Sequence, residues 1–144
     1  MKYIRNILFF LLFIPYVYSQ EITTNPYEEF VKSLYLAASS NDVGRFTTMV
    51  HSKSYYGNGE VGAKALMKEI NIGSPQIISI KHIGTGKIRE YVEVHVNRTA
   101  NANLKPSEER KTVFYLVSIG NENGRLAIFS STLVADGVEL MKER

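Results

Sequence analysis

Leu36-Ala37-Ala38-Ser39-Ser40-Asn41-Asp42-Val43-Gly44-Arg45-Phe46 ends one helix and starts another. Ala37 and Ala38 close an apolar stripe, and Ser39 to Asp42 is a run whose side chains compete with helical hydrogen bonding. Asn41 or Asp42 can cap the second helix, along which Val43, Phe46, Met49 and Val50 recur at helical spacing. Upstream, Asn25 is a cap, Pro26 suits a first helical position and Glu28 can reach back in a capping box, so the first helix is predicted over Pro26 to Ser39. Phe30, Leu34 and Ala37 or Ala38, widened by Val31 and Tyr35, form its buried face, with Glu28, Glu29 and Lys32 largely outside it. The two helices are expected to pack as a hairpin.

Downstream the pattern predicts a short extended piece over Ser52 to Tyr56. Gly57-Asn58-Gly59 then turns the chain into a third helix around Val61 to Ile70, with Val61, Ala65, Leu66 and Ile70 on its apolar side. From Gln76 the period falls to two. A first hairpin pairs Gln76–Ile83 with Lys87–Thr99 across Gly84-Thr85-Gly86; a three-residue turn would set Ile83 against Lys87, Ile78 against Val92 and Gln76 against Val94. The opposite face carries Tyr91, Glu93, His95 and Asn97. A second hairpin pairs Lys111–Ile119 with Arg125–Val134 across Gly120 to Gly124, with Phe114, Leu116, Leu126 and Ile128 on one side and Val113, Tyr115, Val117 and Phe129 on the other. Both sides being apolar, this half of the sheet needs two covers. Helices supply one. The second is either another copy of the chain, giving a homodimer through the sheet, or a folded-back carboxyl terminus (Val138, Leu140, Met141). Between the hairpins, Ala100 to Glu109 is a long polar loop that is mobile or borders a site.

This order of helix hairpin, short strand, third helix and antiparallel strands resembles the nuclear transport factor 2-like superfamily, or cystatin-like cone. The segment Leu36 to Phe46 is similar to its alanine-rich helix end, Asn/Asp break and restarted helix with an aromatic. The resemblance implies an α+β fold in which a helix hairpin and a third helix pack on a curved, cone-shaped antiparallel sheet, with a pocket in the cone's open end and a tendency to dimerise through the sheet. The superfamily holds isomerases, dehydratases and cyclases beside non-catalytic binding modules, so the fold does not choose between them. Its enzymes place Asp, His or Tyr inside the cone. Here Thr, Ser and aliphatic residues hold most inward positions, and none of those roles transfers.

The amino terminus reads as a secretory signal peptide over residues 1–19. Lys2 and Arg5 precede the apolar run Ile7 to Ile14, Pro15 breaks it, and Val17-Tyr18-Ser19 suits cleavage before Gln20. A spanning helix needs ~20 apolar residues, and Ser19-Gln20-Glu21 stops this stretch short of that. Residues 20–144 form the expected single domain. Cleavage removes Lys2 and Arg5 and takes the formal charge from +3 to +1, so the basic balance gives no reason to expect nucleic acid or an anionic membrane as partner. With no cysteine, disulfides, thiolate metal sites and cysteine nucleophiles are excluded, and burial must stabilise the domain.

Tyr35, Tyr55 and Tyr56 are candidates for a phenol that stabilises an oxyanion, with Asp42 or Glu90 as base, although Asp42 also suits a cap and Glu90 a strand. Glu93 and His95 share a strand face but lack a third metal ligand; His82 near the hairpin tip and His51 after the second helix read as surface histidines. No Gly-x-Ser-x-Gly elbow occurs, Ser130-Ser131-Thr132 falls within a strand, and Gly84-Thr85-Gly86-Lys87 reads as a turn instead of a phosphate loop. Asn97-Arg98-Thr99 is a glycosylation acceptor in a host with that pathway. No cofactor or metal site is read. The sequence thus points to a secreted, non-enzymatic domain whose cone binds a small apolar ligand or a protein partner. The alternative is a secreted isomerase or dehydratase using a pocket tyrosine and carboxylate.

Overall fold

Asn25 starts the first helix, α1 (Pro26–Ser39), by accepting hydrogen bonds from the backbone N–H groups of Tyr27 and Glu28 through Oδ1. This computed structural model describes residues 24–99, 103 and 110–134. The leader, most of the loop at 100–109, and Val138, Leu140 and Met141 lie outside the described residues. Glu28 does not close a capping box: its Oε1 accepts from the backbone N–H of His82, 3.0 Å away, and ties the start of α1 to the sheet. Val31, Leu34, Tyr35, Ala37 and Ala38 are buried, while Phe30 is half-buried against the core.

The break is a double cap. Asn41 takes the left-handed conformation (φ 55°), and the N–H groups of Asn41 and Asp42 donate to the carbonyls of Ala38 and Ala37, which closes α1 in a Schellman turn. Asp42 then accepts from the Arg45 N–H and caps α2 (Val43–Met49), which buries Phe46 and Met49. Asp42 thus serves both helix ends, its N–H closing α1 and its carboxylate starting α2. The piece after α2 is not a strand. Val50 makes an isolated parallel bridge to Ile128, the His51 N–H donates to the Ile128 carbonyl at 2.9 Å, and residues 52–57 then fold into tight turns, with the Ser54 and Gly57 N–H groups returning to His51 and Ser54.

Helix α3 (Glu60–Ile70) buries Gly62, Ala63, Leu66, Met67 and Ile70, whereas Val61 is 72 % exposed and Ala65 faces outward. The spacing 63, 66, 67, 70 is the better helical stripe, and two small residues let the backbone approach its neighbours closely.

Among the described residues three helices pack on a four-stranded antiparallel meander, β1 (Gln76–Thr85), β2 (Glu90–Thr99), β3 (Arg110–Glu122) and β4 (Arg125–Val134), in that order. The architecture is α+β. The first hairpin differs from the expected register. Its tip is Gly86 to Arg89, closed by Thr85 opposite Glu90, and bulges skip Ile78 and Ile83, so His82 faces Val92, Ile80 faces Val94 and Ile77 faces Val96. Each bulge adds a residue to β1 alone and shifts every pair beyond it. The face alternation of β2 is as expected: Val92, Val94 and Val96 are fully buried, and Tyr91, Glu93, His95 and Asn97 are half-buried on the other face.

The second hairpin continues to Glu122 opposite Arg125, turning in Asn123-Gly124 with φ 53° and 81°, the two positive values a tight primed turn requires. A bulge at Phe129 pairs Ile119 with Ile128. That exchange puts Ile128 in the core with Val113, Tyr115, Val117 and Ile119, leaves Leu126 packed beside it, and lays the Phe129 ring over Gly120, where a Cβ would sit 2.4 Å from it. The helical layer covers this core face, and Phe114 and Leu116 on the opposite face are half-buried.

Candidate functional site

β2 and β3 bring polar groups to the end of the buried face. Arg98 continues the inward row Val92, Val94, Val96, and its Nη1 donates to the Tyr115 hydroxyl at 2.7 Å, with the guanidinium carbon 5.8 Å from the Tyr115 ring centroid. Arg98 Nε is buried with no hydrogen-bond partner, and no carboxylate among the described residues forms an ion pair with this guanidinium. Tyr35 comes down from α1. It is 6 % exposed, and its hydroxyl and the Ser131 hydroxyl of β4 lie near enough to interact, yet neither completes a well-formed hydrogen bond. Burial raises the Tyr35 phenol well above the ordinary tyrosine range, with nearby Tyr115 adding to the shift. Burial also raises Tyr115, in part offset by the charge and hydrogen bond of Arg98.

Tyr35 also lines a cavity of about 530 Å3 between α1, the end of α3 and the start of β1. Lys32, Leu36, Asn71, Pro75 and Ile77 form much of the remaining wall, of which Leu36 and Ile77 are 58 % and 41 % exposed. Asn71 Nδ2 donates to the Ala38 carbonyl and holds α3 against α1. Gly73, at φ 69°, joins the cavity wall to the polar row: a Cβ there would meet the Thr99 carbonyl oxygen at 2.5 Å and Arg98 Cβ at 3.1 Å. The Arg110 guanidinium spans the Ser74 and Asn97 carbonyls beside it.

The other candidates fall elsewhere. Tyr55 is 92 % exposed, and Tyr56 donates to Glu69 Oε2 at 2.6 Å, so burial and then the Glu69 hydrogen bond and charge push its phenol up to about 12. Asp42 is engaged as the α2 cap. Glu90 Oε2 takes His82 Nε2 at 2.7 Å and the Thr85 hydroxyl at 2.8 Å; burial pushes its carboxyl up, but hydrogen bonds from Thr85, His82 and Tyr27 and the charge of His82 together hold it below the usual range. Neither Asp42 nor Glu90 is hydrogen-bonded to Tyr35, Tyr55 or Tyr56. The phenol and carboxylate pairing is not assembled.

His82 is not a plain surface residue. Its Nδ1 lies 3.4 Å from Asn25 Nδ2 and its ring 4.7 Å from that of Tyr27, so it fastens α1 to the hairpin tip. His51 is 7 % exposed, stacked at 4.0 Å on Phe129, which carries the Arg89 guanidinium 4.0 Å from its ring centroid. His95 contacts Glu93 at 2.5 Å and the Phe114 ring at 4.2 Å. No group of three or more metal-binding side chains gathers among the described residues. Asn97 is half-buried in β2 between its partners Gln76 and Thr112, and Thr99 is 2 % exposed.

No protein-family model matches the chain, and no curated protein sequence does. Among solved structures, the chain is similar to an uncharacterized cystatin-fold protein from Novosphingobium aromaticivorans, at 16 % identity and a TM-score of 0.45, over 74 % of this chain and 96 % of that one. Arg98, Tyr115 and Ser131 were not sequence-level candidates as a site. The signal for Arg98 is the period of two that runs on from Val96, overshadowed by the acceptor tripeptide in which it sits.

Proposed function

We propose that the mature chain is a secreted, nuclear transport factor 2-like binding domain that holds a small molecule in the cavity between α1 and β1. One observation carries this reading: Tyr35, nine-tenths buried, belongs both to the cavity wall and to a buried polar row, and its hydroxyl, beside that of Ser131, completes no well-formed hydrogen bond. An unsatisfied buried hydroxyl costs stability, and a bound molecule that supplied its missing hydrogen bond would offset that cost. The order of three helices followed by a strand meander supports the superfamily assignment, and the leader at residues 1–19 supports export. The carboxylates closest to catalytic use are committed to caps and ties, which favours binding over chemistry.

Two measurements test the proposal. Amino-terminal sequencing of protein recovered outside the producing cells should begin at Gln20; an intact Met1 would overturn export. Native mass spectrometry of the wild-type protein should show a small molecule held in about one-to-one ratio and released on denaturation. Ile77→Trp, which fills the cavity, should remove it. An undiminished adduct in that variant, or no adduct and no thermal shift with any amphipathic compound, would overturn the cavity as the binding site.

A further inference from the structure

We infer that His51 is a proton-operated latch on the turn between α2 and α3: the neutral ring holds the turn through the Lys53 backbone, and a proton trades that hold for an ion pair with Glu122. The residue is 7 % exposed and its ring is stacked on Phe129 at 4.0 Å. Its Nδ1 accepts the Lys53 N–H at 3.1 Å, which requires a lone pair there and therefore a neutral ring with its proton on Nε2. Glu122 Oε1 lies 3.7 Å from the same nitrogen. The two Glu122 oxygens already take the Ser52 N–H, at 3.1 and 3.3 Å, and the Ser52 hydroxyl. One ring nitrogen thus stands between two partners of opposite demand, a backbone donor and a carboxylate.

A proton placed on Nδ1 cannot stay where the ring now points, because the new ring N–H would face the Lys53 N–H, donor against donor. Turning toward Glu122 converts the 3.7 Å contact into a charge-assisted hydrogen bond and leaves the Lys53 N–H to water. The charged groups around the ring set the balance. Glu122 on β3 attracts the charged ring, whereas Lys53 on the turn, Arg125 near Glu122 and the Arg89 guanidinium, 4.0 Å from the Phe129 centroid, repel it. The turn itself is tight. The Ser54 N–H returns to the His51 carbonyl, the Gly57 N–H returns to Ser54, and a Cβ on Gly57 would meet the Ser52 carbonyl oxygen at 2.1 Å. Residues 51–57 therefore have little room to absorb a shift at Lys53 before it reaches the start of α3.

Nuclear magnetic resonance of the isolated protein between about pH 8 and about pH 5, the range in which histidine changes charge, tests the latch. At the alkaline end the ring should carry its proton on Nε2. Solvent exchange of the Lys53 amide, normalised to the rate of an unstructured chain, should speed up about fivefold or more toward the acid end, the worth of one hydrogen bond. Amides at the centre of β2 should keep their protection throughout. His51→Phe keeps an aromatic ring on Phe129 but offers no acceptor, so its Lys53 amide should exchange fast at both ends. Glu122→Gln still accepts from Ser52 but cannot pair with a cation, so release should need a lower pH. A proton on Nδ1 at the alkaline end, Lys53 exchange that ignores pH, or a pH response that persists in His51→Phe would overturn the latch. Parallel loss of protection across β2 would assign the change to global unfolding and overturn it too, and release at an unchanged pH in Glu122→Gln would overturn the exchange of partners.

Discussion

Tyr35 and Tyr115 lie side by side in the same interior yet should respond oppositely to loss of their hydroxyls. Tyr35 Oη is buried without a well-formed hydrogen bond, so Tyr35→Phe removes a desolvated group and at most a weak contact with Ser131; urea unfolding should show unchanged stability or a gain of about 1 kcal/mol. Tyr115 Oη receives the Arg98 guanidinium, so Tyr115→Phe deprives a half-buried charge of its acceptor and should cost about 1–3 kcal/mol. A comparable loss in Tyr35→Phe would mean that its hydroxyl is hydrogen-bonded in the unliganded chain. The contrast is one of satisfaction and not of burial, since the two residues are 6 % and 5 % exposed. This level of detail is illegible in sequence. The alternation of Val113, Tyr115 and Val117 places Tyr115 inward, and the helical stripe places Tyr35 inward, but whether either phenol finds a partner depends on Arg98 and Ser131 arriving from other strands.

At the scale of elements, caps carry the design. Asp42→Ala should cost about 1 kcal/mol by removing the acceptor for the Arg45 N–H. Gly124→Ala should cost about 1–2 kcal/mol, because alanine resists the positive φ of 81° that closes the second hairpin. Both are read from midpoints of chemical unfolding, and a change below about 0.3 kcal/mol in either would show that its cap or turn is dispensable. These elements were largely readable. The limits of α1 agree with Pro26 and Ser39 because caps and apolar stripe point the same way there. Legibility failed where several turn-forming residues adjoin. Gly120 to Gly124 looks like one loop, yet Asn121 and Glu122 remain in the ladder opposite Leu126 and Arg125, and only Asn123-Gly124 turns. The bulges at Ile78, Ile83 and Phe129 were hidden for a related reason: a bulge is an extra residue in one strand relative to another, and one strand's own pattern does not reveal it. That is why the strands were identifiable while the pairs that build the cavity end were not.

For the whole molecule, two sets of ionisable ties bracket the pH range of stability. Glu90 on β2 binds His82 and Thr85 of β1, and Glu122 on β3 binds Ser52 after α2 through its backbone N–H and hydroxyl. Both carboxyls sit below the ordinary glutamate value, Glu90 because its hydrogen bonds outweigh burial and Glu122 chiefly through Ser52. The folded chain therefore binds fewer protons than the unfolded one, and their contribution is present above about pH 4.5 and lost as the pH falls through the depressed values. Tyr35 acts in the opposite sense. Its raised phenol contributes fully below the ordinary value of 10.0 and loses that contribution as the pH rises toward its folded value. Thermal unfolding across a pH series should thus give a plateau with an acid limb and an alkaline limb of separate origin. Glu90→Gln should make the acid limb shallower and leave the alkaline one, while Tyr35→Phe should make the alkaline limb shallower and leave the acid one. If Tyr35→Phe left the alkaline limb as steep as in the wild type, the phenol would be ionising in the folded protein as readily as in the unfolded one. A hydroxyl buried between α1 and β4 cannot do that without water reaching it.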